Sequence, residues 1–216
     1  TDNLSEGYIE NRRNLLTASE ARVLMAAEWE DESDTEKFVN IFWWDSCAEQ
    51  LPPLRPDEVG VLALDAAIGS ETTSMLADTF SAIIVTRHPT KPESTAVRYC
   101  GIWQAEPGHY LDFEPIEAEI YRLCDAYSII EVPYDITQLH EMAQRMRKNG
   151  INAKVFSQQQ ARLVADKDLQ TDIMARRIEH DGNPLLRQHI DNADIKKSSE
   201  GIRIVKRSQS LKVDAA

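Results

Sequence analysis

Short apolar runs separated by polar or Pro-containing links dominate the chain from residue 59 to residue 103. The three runs are Val59–Asp65, Phe80–Thr86 and Thr95–Trp103. Runs of this length, rich in β-branched, leucine and aromatic residues, are typical of strands buried in a sheet. Because the links are short and polar, the pattern predicts an antiparallel meander of three strands.

After these strands, helical and strand patterns alternate. Helical spacing of apolar residues covers Glu114–Tyr127 and Ile136–Asn149, and apolar runs typical of strands cover Ser128–Asp135 and Ile151–Phe156. Gly150 follows the second helical pattern, at a position where glycine commonly ends a helix. Alternation of helices and strands predicts parallel strands joined by right-handed crossovers.

The C-terminal quarter predicts two more helices, Gln158–Arg177 and Asn183–Ala193, then a turn and a strand at Ile202–Lys206. Val213–Ala216 resembles the start of another helix. The order β-β-β-α-β-α-β followed by helices is that of the ribonuclease-H-like fold. We therefore predict an α/β domain whose mixed sheet has three antiparallel strands, then parallel strands, with helices on both faces.

Residues 1–57 are predicted to be an appendage to a domain that spans residues 58–216. The appendage contains a helical pattern at Leu15–Ala27, an aromatic segment at Phe38–Trp44 and a proline-rich connector at Leu51–Pro56. The aromatic segment is either a binding surface or a packing surface. Packing against the main core is the more common role of such a cluster, and we favour it.

Composition narrows the class of protein. Hydrophobic residues make up 42% of the 216 residues and charged residues 28%, as in ordinary folded domains. No apolar run approaches the roughly 20 residues that span a bilayer, and the first residues lack the features of a signal peptide. Three cysteines without CxxC spacing favour reduced thiols over disulfides or a zinc site.

The net charge of −12 argues at first against a nucleic-acid partner. Residues 1–140, however, contain 26 acidic and 9 basic residues, whereas residues 141–216 contain 10 acidic and 15 basic residues. The basic residues of the C-terminal third are therefore candidate phosphate contacts. Those we select are Arg145, Arg147, Lys148, Lys196, Lys197, Lys206 and Arg207.

Two predicted strands end in an aspartate directly after an apolar run, at Asp65 and Asp135. In the predicted topology these strands are parallel neighbours, so both carboxylates lie at one edge of the sheet. Like charges held close favour a cation between them, and Mg²⁺ prefers oxygen ligands. Asp214, at the predicted helix start, is the best third ligand for a two-metal site that hydrolyses phosphodiesters. Helix or turn capping is the alternative role of each acid, and Asp65 fits it least.

Motifs in a fixed order resemble the C-terminal nuclease region of the large terminase subunit of tailed double-stranded-DNA phages. The resemblance covers nearly all of the chain from about residue 22. The matching motifs are Ala27–Trp29, Phe42–Asp45, Leu51–Leu54, Leu62–Ala67, Asp78–Ile83, Val132–Asp135 with Gln138 and Leu139, His180–Leu185 and Lys212–Ala216. Each motif is weak alone, and their order and spacing carry the resemblance.

The resemblance implies a metal-dependent endonuclease that cuts concatemeric viral double-stranded DNA during packaging. It implies Asp65, Asp135 and Asp214 as catalytic acids and metal ligands, Asp78 as an accessory ligand, and two Mg²⁺ or Mn²⁺ ions. The implied partners are DNA, an N-terminal ATPase motor of the same parent chain, the portal and the small terminase subunit, and no membrane. The implied location is the cytoplasm of the infected bacterial host, or of a host that carries the gene in a prophage.

Two departures from the family are visible in the sequence. No P-loop motif is present, so this chain lacks the motor. The sequence also stops two residues after Asp214, where the family continues as a helix, so we expect a truncated C-terminal helix. Two other functions stay open: a non-catalytic docking or regulatory module of the same fold, and a resolvase- or transposase-type nuclease.

Overall fold

The structure is a computed structural model that describes residues 36–67, 79–106, 109–207, 213 and 215. The predicted helix at Leu15–Ala27, the link between the first two strands and most of the segment at Val213–Ala216 lie outside these residues. The strands are β1 (Glu36–Lys37), β2 (Val59–Ala67), β3 (Thr79–Arg87), β4 (Thr95–Gln104), β5 (Ser128–Tyr134), β6 (Ala153–Val155), β7 (Ile178–Glu179), β8 (Ala193–Ser198) and β9 (Gly201–Lys206). The helices are α1 (Ile41–Asp45), α2 (Phe113–Ala126), α3 (Ile136–Lys148), α4 (Gln160–Met174) and α5 (Pro184–Asp191).

Six strands form the main sheet in the order β6-β5-β2-β3-β4-β7. Strands β2, β3 and β4 pair antiparallel, whereas β5 pairs parallel with both β2 and β6. Gly150 has a φ of +82° just after α3, where its lack of a Cβ atom permits the chain to leave the helix. The mixed α/β sheet predicted from the element order is therefore confirmed.

One face of this sheet packs against α2 and α3. Leu62, Leu64 and Phe80 from the central strands and Val132 and Tyr134 from β5 are all buried there. The helices contribute apolar side chains at helical spacing: Ile116, Ile120 and Leu123 from α2, and Leu139, Met142, Ala143 and Met146 from α3. We call this packing region the first core.

The opposite face packs against α4, α5 and a second sheet of order β1-β8-β9, which together form the second core. Phe38 and Trp44 of the aromatic segment are 0% and 2% exposed within this second core, whereas Phe42 is 45% exposed. Packing was thus the correct choice for most of that segment. Because β1 pairs with β8, residues 36–49 dock on the C-terminal part of the chain. The division at residue 57 stays a prediction.

The clearest difference from the predicted elements is β8. The predicted helix at Asn183–Ala193 ends at Asp191, and the following residues form an antiparallel hairpin with β9. Ala193 and Ile195 are buried in the second core, so pairing and burial outweigh the local helical pattern. Strand β2 also continues two residues beyond Asp65, which therefore lies within the strand and not at its end.

Candidate active site

Asp65 and Asp135 occupy adjacent positions on neighbouring parallel strands. The β2–β5 ladder pairs Leu64 with Tyr134, and each aspartate is the next residue along its own chain. Neighbouring strands lie about 4.8 Å apart, so the backbones of Asp65 and Asp135 are adjacent across the β2–β5 pair. Side chains alternate along a strand, and Leu64 and Tyr134 point into the first core. Asp65 therefore faces the second core, whereas Asp135 directly follows β5 and begins α3 as its N-cap.

Each aspartate also makes a local hydrogen bond to the backbone. Oδ1 of Asp135 accepts the N–H of Thr137 at 2.8 Å and caps α3, and Oδ1 of Asp65 accepts the N–H of Ala66 at 3.0 Å. The capping role considered for Asp135 is therefore real. It uses one carboxylate oxygen, and among the described residues no lysine or arginine pairs with Asp135. Capping and metal binding are compatible at this position.

The donor set fits a magnesium-type ion. Two carboxylates from rigid neighbouring strands offer several oxygen atoms at one point, which is the chemistry that Mg²⁺ and Mn²⁺ prefer. Both strands are fixed by ladder hydrogen bonds on each side, so the ligands are held by the sheet and not by mobile loops. Asp65 and Asp135 are the residues that would hold such an ion.

The other two predicted ligands, Asp78 and Asp214, lie outside the described residues. Both chain neighbours of Asp214 are described, however. Val213 and Ala215 are 8% and 6% exposed and belong to the second core. Asp214 is thus flanked in sequence by two residues that pack in the second core, the side of the sheet that Asp65 faces.

A groove of about 870 Å³ opens between the start of α4 and the β8–β9 hairpin. Phe156, the residue after β6, donates its N–H to Tyr134 O at 2.9 Å, so the chain leaves β6 beside the end of β5, next to Asp135. Two residues later, Gln158 lines the groove. The groove therefore lies at the same sheet edge as the aspartates. Its lining contains five cationic side chains and one acid, which are Arg162, Lys196, Lys197, Arg203, Lys206 and Glu200.

The floor of this groove is fixed by a buried acid that the sequence analysis did not select. Oδ2 of Asp166 accepts the N–H of Ile204 at 2.8 Å and ties α4 to β9. Burial raises the pKa of Asp166, while the Ile204 hydrogen bond and nearby Arg162 act in the opposite direction. Asp166 is therefore a structural residue that holds the two walls of the groove together.

The predicted phosphate contacts divide into two groups. Lys196, Lys197 and Lys206 line the groove. Arg145, Arg147 and Lys148 lie on the last turns of α3, about 14 Å along the helix from its start at the aspartate edge, on the first-core face. Arg145 makes a bidentate pair with Glu117, at 2.8 and 2.7 Å.

Arg207, the seventh predicted contact, lies beyond β9 and does not line the groove. Its Nε atom is 3.3 Å from Asp194. Arg162 and Arg203 do line the groove but were not predicted. Their positions follow from the hairpin and from the packing of α4, neither of which has a sequence motif.

A second cluster of acidic and histidine side chains lies at the opposite end of the sheet. Ligand atoms of Glu49, His88 and Glu179 all lie within 4.8 Å of one another. His88 directly follows β3. It lies seven residues, or about 23 Å, along this strand from Ser81, which pairs with Asp65. Sequence analysis did not find this cluster, because its members are far apart in the chain.

The cluster does not fit a metal ion. Nζ of Lys91 lies 2.6 Å from Glu49 and 2.7 Å from Glu179, where it supplies the positive charge itself. Nδ1 of His88 accepts the N–H groups of Thr90 and Lys91 at 3.2 and 3.0 Å. In the neutral ring the proton is then on Nε2, so this atom has no lone pair for a metal ion. Nε2 lies 2.6 Å from a carboxylate oxygen of Glu179, but the two atoms are not aligned for a hydrogen bond. The Lys91 hydrogen bonds lower the pKa of Glu49.

Two general expectations can be compared directly with the structure. All three cysteines are free thiols. Within the described ranges, no helix combines the length and apolar character needed to cross a membrane.

Comparison with known proteins identifies what the chain is similar to. The sequence model of the family "Terminase large subunit, endonuclease domain" matches residues 61–216. A search of curated proteins gives no match. The large terminase of bacteriophage HK97 has a TM-score of 0.67 at 14% identity, with 98% of this chain and 49% of that chain covered.

Two other solved structures have the same fold. The large terminase nuclease of the thermophilic phage G20c has a TM-score of 0.53 at 13% identity and covers 76% of this chain and 80% of its own. The large terminase of the thermophilic bacteriophage D6E has a TM-score of 0.59 at 13% identity, with 98% of this chain and 50% of that chain covered. The chain therefore spans about half the length of the HK97 and D6E proteins.

Proposed function

The chain belongs to the family of terminase large-subunit endonuclease domains, and from this premise we propose that it is a metal-dependent DNA endonuclease. Its substrate would be concatemeric viral double-stranded DNA, cut during genome packaging. The observation that supports the proposal is the β2–β5 register, which pairs Leu64 with Tyr134, the residues directly before Asp65 and Asp135. Two carboxylates at these adjacent positions would supply the oxygen ligands that a metal-dependent phosphodiester nuclease needs.

Each acid has a role in the proposed reaction. Asp65 and Asp135 would hold the divalent ions, and Asp214 would be a further ligand. Bound Mg²⁺ or Mn²⁺, in a pair of ions, supplies an activated water and stabilises the leaving oxygen of the phosphodiester. The chain's own contribution is to fix the carboxylates on a rigid sheet edge. Asp78 is an accessory ligand in this proposal.

DNA binding is proposed for the basic groove beside the aspartates. Lys196, Lys197 and Lys206 are contacts for backbone phosphates there, and salt-dependent affinity is expected from such contacts. Arg145, Arg147, Lys148 and Arg207 remain predicted contacts that lie outside the groove. Because the chain as a whole has a charge of −12, we expect weak binding by this chain alone.

The remaining partners follow from the family and from the coverage of longer relatives. We propose that a parent chain supplies an N-terminal ATPase motor, and that the portal and the small terminase subunit hold the nuclease on DNA. The proposed location is the cytoplasm of an infected bacterium, or of one that carries the gene in a prophage.

The test of this function is cutting of plasmid DNA by the purified chain with Mg²⁺ or Mn²⁺. Asp65→Asn keeps the size of the side chain and removes its charge. We expect the cutting rate to fall by at least about 10³-fold, because several kcal/mol of transition-state stabilisation come from the ions. Undiminished cutting by Asp65→Asn would refute the assignment of the site.

The two other functions are separated by simple measurements. A docking module would bind no divalent ion in calorimetry of the folded protein. A resolvase- or transposase-type nuclease would prefer branched DNA or transposon ends over linear duplex. We expect ion binding and no such preference.

A further inference from the structure

The hydroxyl of Thr79, the first residue of β3, is buried in the sheet and unpaired. Thr79 is 0% exposed, and its Oγ1 atom has no hydrogen-bond partner in the part of the chain that the structure describes. Proteins normally avoid a buried hydroxyl in this state, because the group loses its hydrogen bonds to water and gains none in return. The packing of the sheet alone therefore gives no reason for a threonine at this position.

The other buried side-chain atoms that lack such a partner among the described residues have different surroundings. Nε2 of His88 and Oε2 of Glu179 lie 2.6 Å from each other, and Nε of Arg162 lies 3.6 Å from Asp166. The indole of Trp44 stacks on a histidine ring in the second core. The threonine hydroxyl differs from all of them in its place beside the candidate metal ligands.

The β2–β3 ladder places this hydroxyl next to Asp65. Asp65 pairs with Ser81, and Thr79 pairs with Ala67, the second residue after Asp65. Phe80 points into the first core, so Thr79 faces the second core, as Asp65 does. Diagonal neighbours of this kind in an antiparallel pair have Cβ atoms about 7 Å apart. The two side chains therefore share one face and one end of the sheet.

This separation suits a hydrogen bond to a water that an ion at Asp65 carries. Mg²⁺ is bound through one or two carboxylates and keeps several water ligands. Such waters donate hydrogen bonds and need acceptors in the surrounding protein. The hydroxyl oxygen of Thr79 is an acceptor with two lone pairs, about one water away from the reach of the Asp65 carboxylate.

We propose that Thr79 is a positioning residue of the metal site, whose Oγ1 atom accepts a hydrogen bond from a water on the ion that Asp65 holds. This inference rests on the proposed function. Thr79 does not touch the ion itself. It orients a water ligand, as groups around metal ligands commonly do, and this role gives the buried hydroxyl its missing partner.

The test compares Thr79→Val with Thr79→Ser. Val keeps the shape of the side chain and removes the hydroxyl, so without metal the unfolding temperature should rise by about 2–4 °C. The affinity of Thr79→Val for Mn²⁺, measured by calorimetry, should be about 10-fold to 100-fold lower than that of the parent chain. Thr79→Ser keeps the hydroxyl and loses a buried methyl group, so it should unfold at a lower temperature and bind Mn²⁺ nearly as tightly as the parent chain.

Thr86→Val is the matched control in the same strand. Thr86 is also buried, but its Oγ1 atom donates a hydrogen bond to Arg87 O at 2.9 Å, and it lies at the opposite end of β3. Removing a hydroxyl that is already paired should lower the unfolding temperature. The Mn²⁺ affinity of this variant should equal that of the parent chain.

The outcomes that overturn this inference differ from those that overturn the proposed function. Failure of Thr79→Val to fold, or a lower unfolding temperature without metal, would assign the hydroxyl to a structural contact. Equal weakening of Mn²⁺ binding by Thr79→Val and Thr79→Ser would assign the effect to packing. Unchanged Mn²⁺ affinity of Thr79→Val, with weak binding by Asp65→Asn, would overturn the inference and leave the proposed function in place. Normal Mn²⁺ binding by Asp65→Asn would overturn both.

Discussion

The carboxylate pairs at the two ends of the main sheet differ in what surrounds them. Glu49 and Glu179 are bridged by the ammonium of Lys91, at 2.6 and 2.7 Å. Asp65 and Asp135 accept backbone N–H groups and lie at the edge where a groove of five cationic side chains opens. We call these the glutamate cluster and the aspartate edge.

The difference shows which acidic clusters are candidates for ions. The glutamate cluster has two glutamates and one histidine, which are common metal ligands, yet it contains its own cation, Lys91, and a histidine whose Nδ1 already accepts two backbone N–H groups. The aspartate edge has fewer described ligands but no cationic side chain paired with Asp135 among the residues that the structure describes. Whether an acidic cluster already contains a cationic side chain is therefore a better guide to metal binding than the number of its potential ligands.

The largest expected effect is the loss of nuclease activity in Asp135→Asn. Asn caps helices as well as Asp does, so the variant keeps the α3 cap and loses only the charge. We expect cutting to fall by on the order of 10³-fold, with an unfolding temperature close to that of the parent chain. Plasmid cutting and thermal unfolding measure the two quantities on the same samples.

Asp112→Asn is the matched control for this variant. Asp112 caps α2 by the same contact, an acceptor oxygen 3.0 Å from the N–H of Glu114, and its helix packs in the first core, on the face of the sheet opposite to Asp65. It should cut at the parent rate. Equal losses in both variants would assign the effect to helix capping.

The second effect concerns the glutamate cluster, where Glu179→Leu should cost stability but no metal affinity. Glu179 is 5% exposed. Its removal takes away the carboxylate nearest to His88 and leaves Lys91 with Glu49 as its remaining partner in the cluster. We expect the free energy of unfolding to fall by about 3 kcal/mol, the low end for a buried pair that loses one partner, because the Lys91 side chain is half exposed. Urea unfolding and Mn²⁺ calorimetry measure the two predictions.

Glu131→Leu is the control, because Glu131 pairs with Lys154 at a more exposed position. Its loss should change the free energy of unfolding by less than about 1 kcal/mol. If Glu179→Leu instead removed Mn²⁺ binding, the glutamate cluster would be a metal site and the comparison would be reversed.

The sequence predicted the sheet because its strands are long and apolar and their links are short. It also predicted that the strands leading to Asp65 and Asp135 are parallel neighbours, which the β2–β5 pairing confirms; the metal site itself stays a prediction. Strand β8 was missed because its first residues continue a helical pattern, and only pairing with β9 makes them extended. Strands β1 and β7 have two residues each, which is too short for any periodicity.

Long-range contacts account for the site residues that sequence reasoning did not find. Glu49, His88 and Glu179 come from a connector, a turn and a short strand, and no spacing links them. Arg162 and Arg203 enter the groove through the packing of α4 on β9. Such contacts depend on the assembled fold and carry no local signal.

The third effect tests whether the groove beside the aspartate edge binds DNA. Arg203→Glu reverses one exposed groove charge, and we expect duplex DNA to bind on the order of threefold to tenfold more weakly at low salt. The slope of log affinity against log salt should become shallower by about 1. Electrophoretic mobility shifts in an Asp65→Asn background measure binding without cutting. Arg87→Glu is the control with the same charge change, because Arg87 is exposed at the end of β3 farthest from the partner of Asp65. Equal weakening would indicate a general charge effect.

The smallest effect is a pH dependence of stability beside the glutamate cluster. His180 stacks on Trp44 with ring centroids 4.0 Å apart, and its backbone oxygen accepts the N–H of Glu49 at 2.9 Å. Burial lowers the pKa of His180 below its usual 6.5, while the Trp44 carbonyl, Asp181 and Asp45 act in the opposite direction. The unfolded chain therefore takes up a proton near pH 6.5 that the folded chain does not. The stability that depends on neutral His180 is present above pH 6.5 and is lost as the pH falls from there to the folded pKa.

Thermal unfolding at pH 7.5 and 5.5 measures this loss. The unfolding temperature should decrease less between the two pH values for His180→Phe, which keeps the stacking but cannot titrate, than for the parent chain. An equal decrease in both chains would assign the pH dependence to other groups.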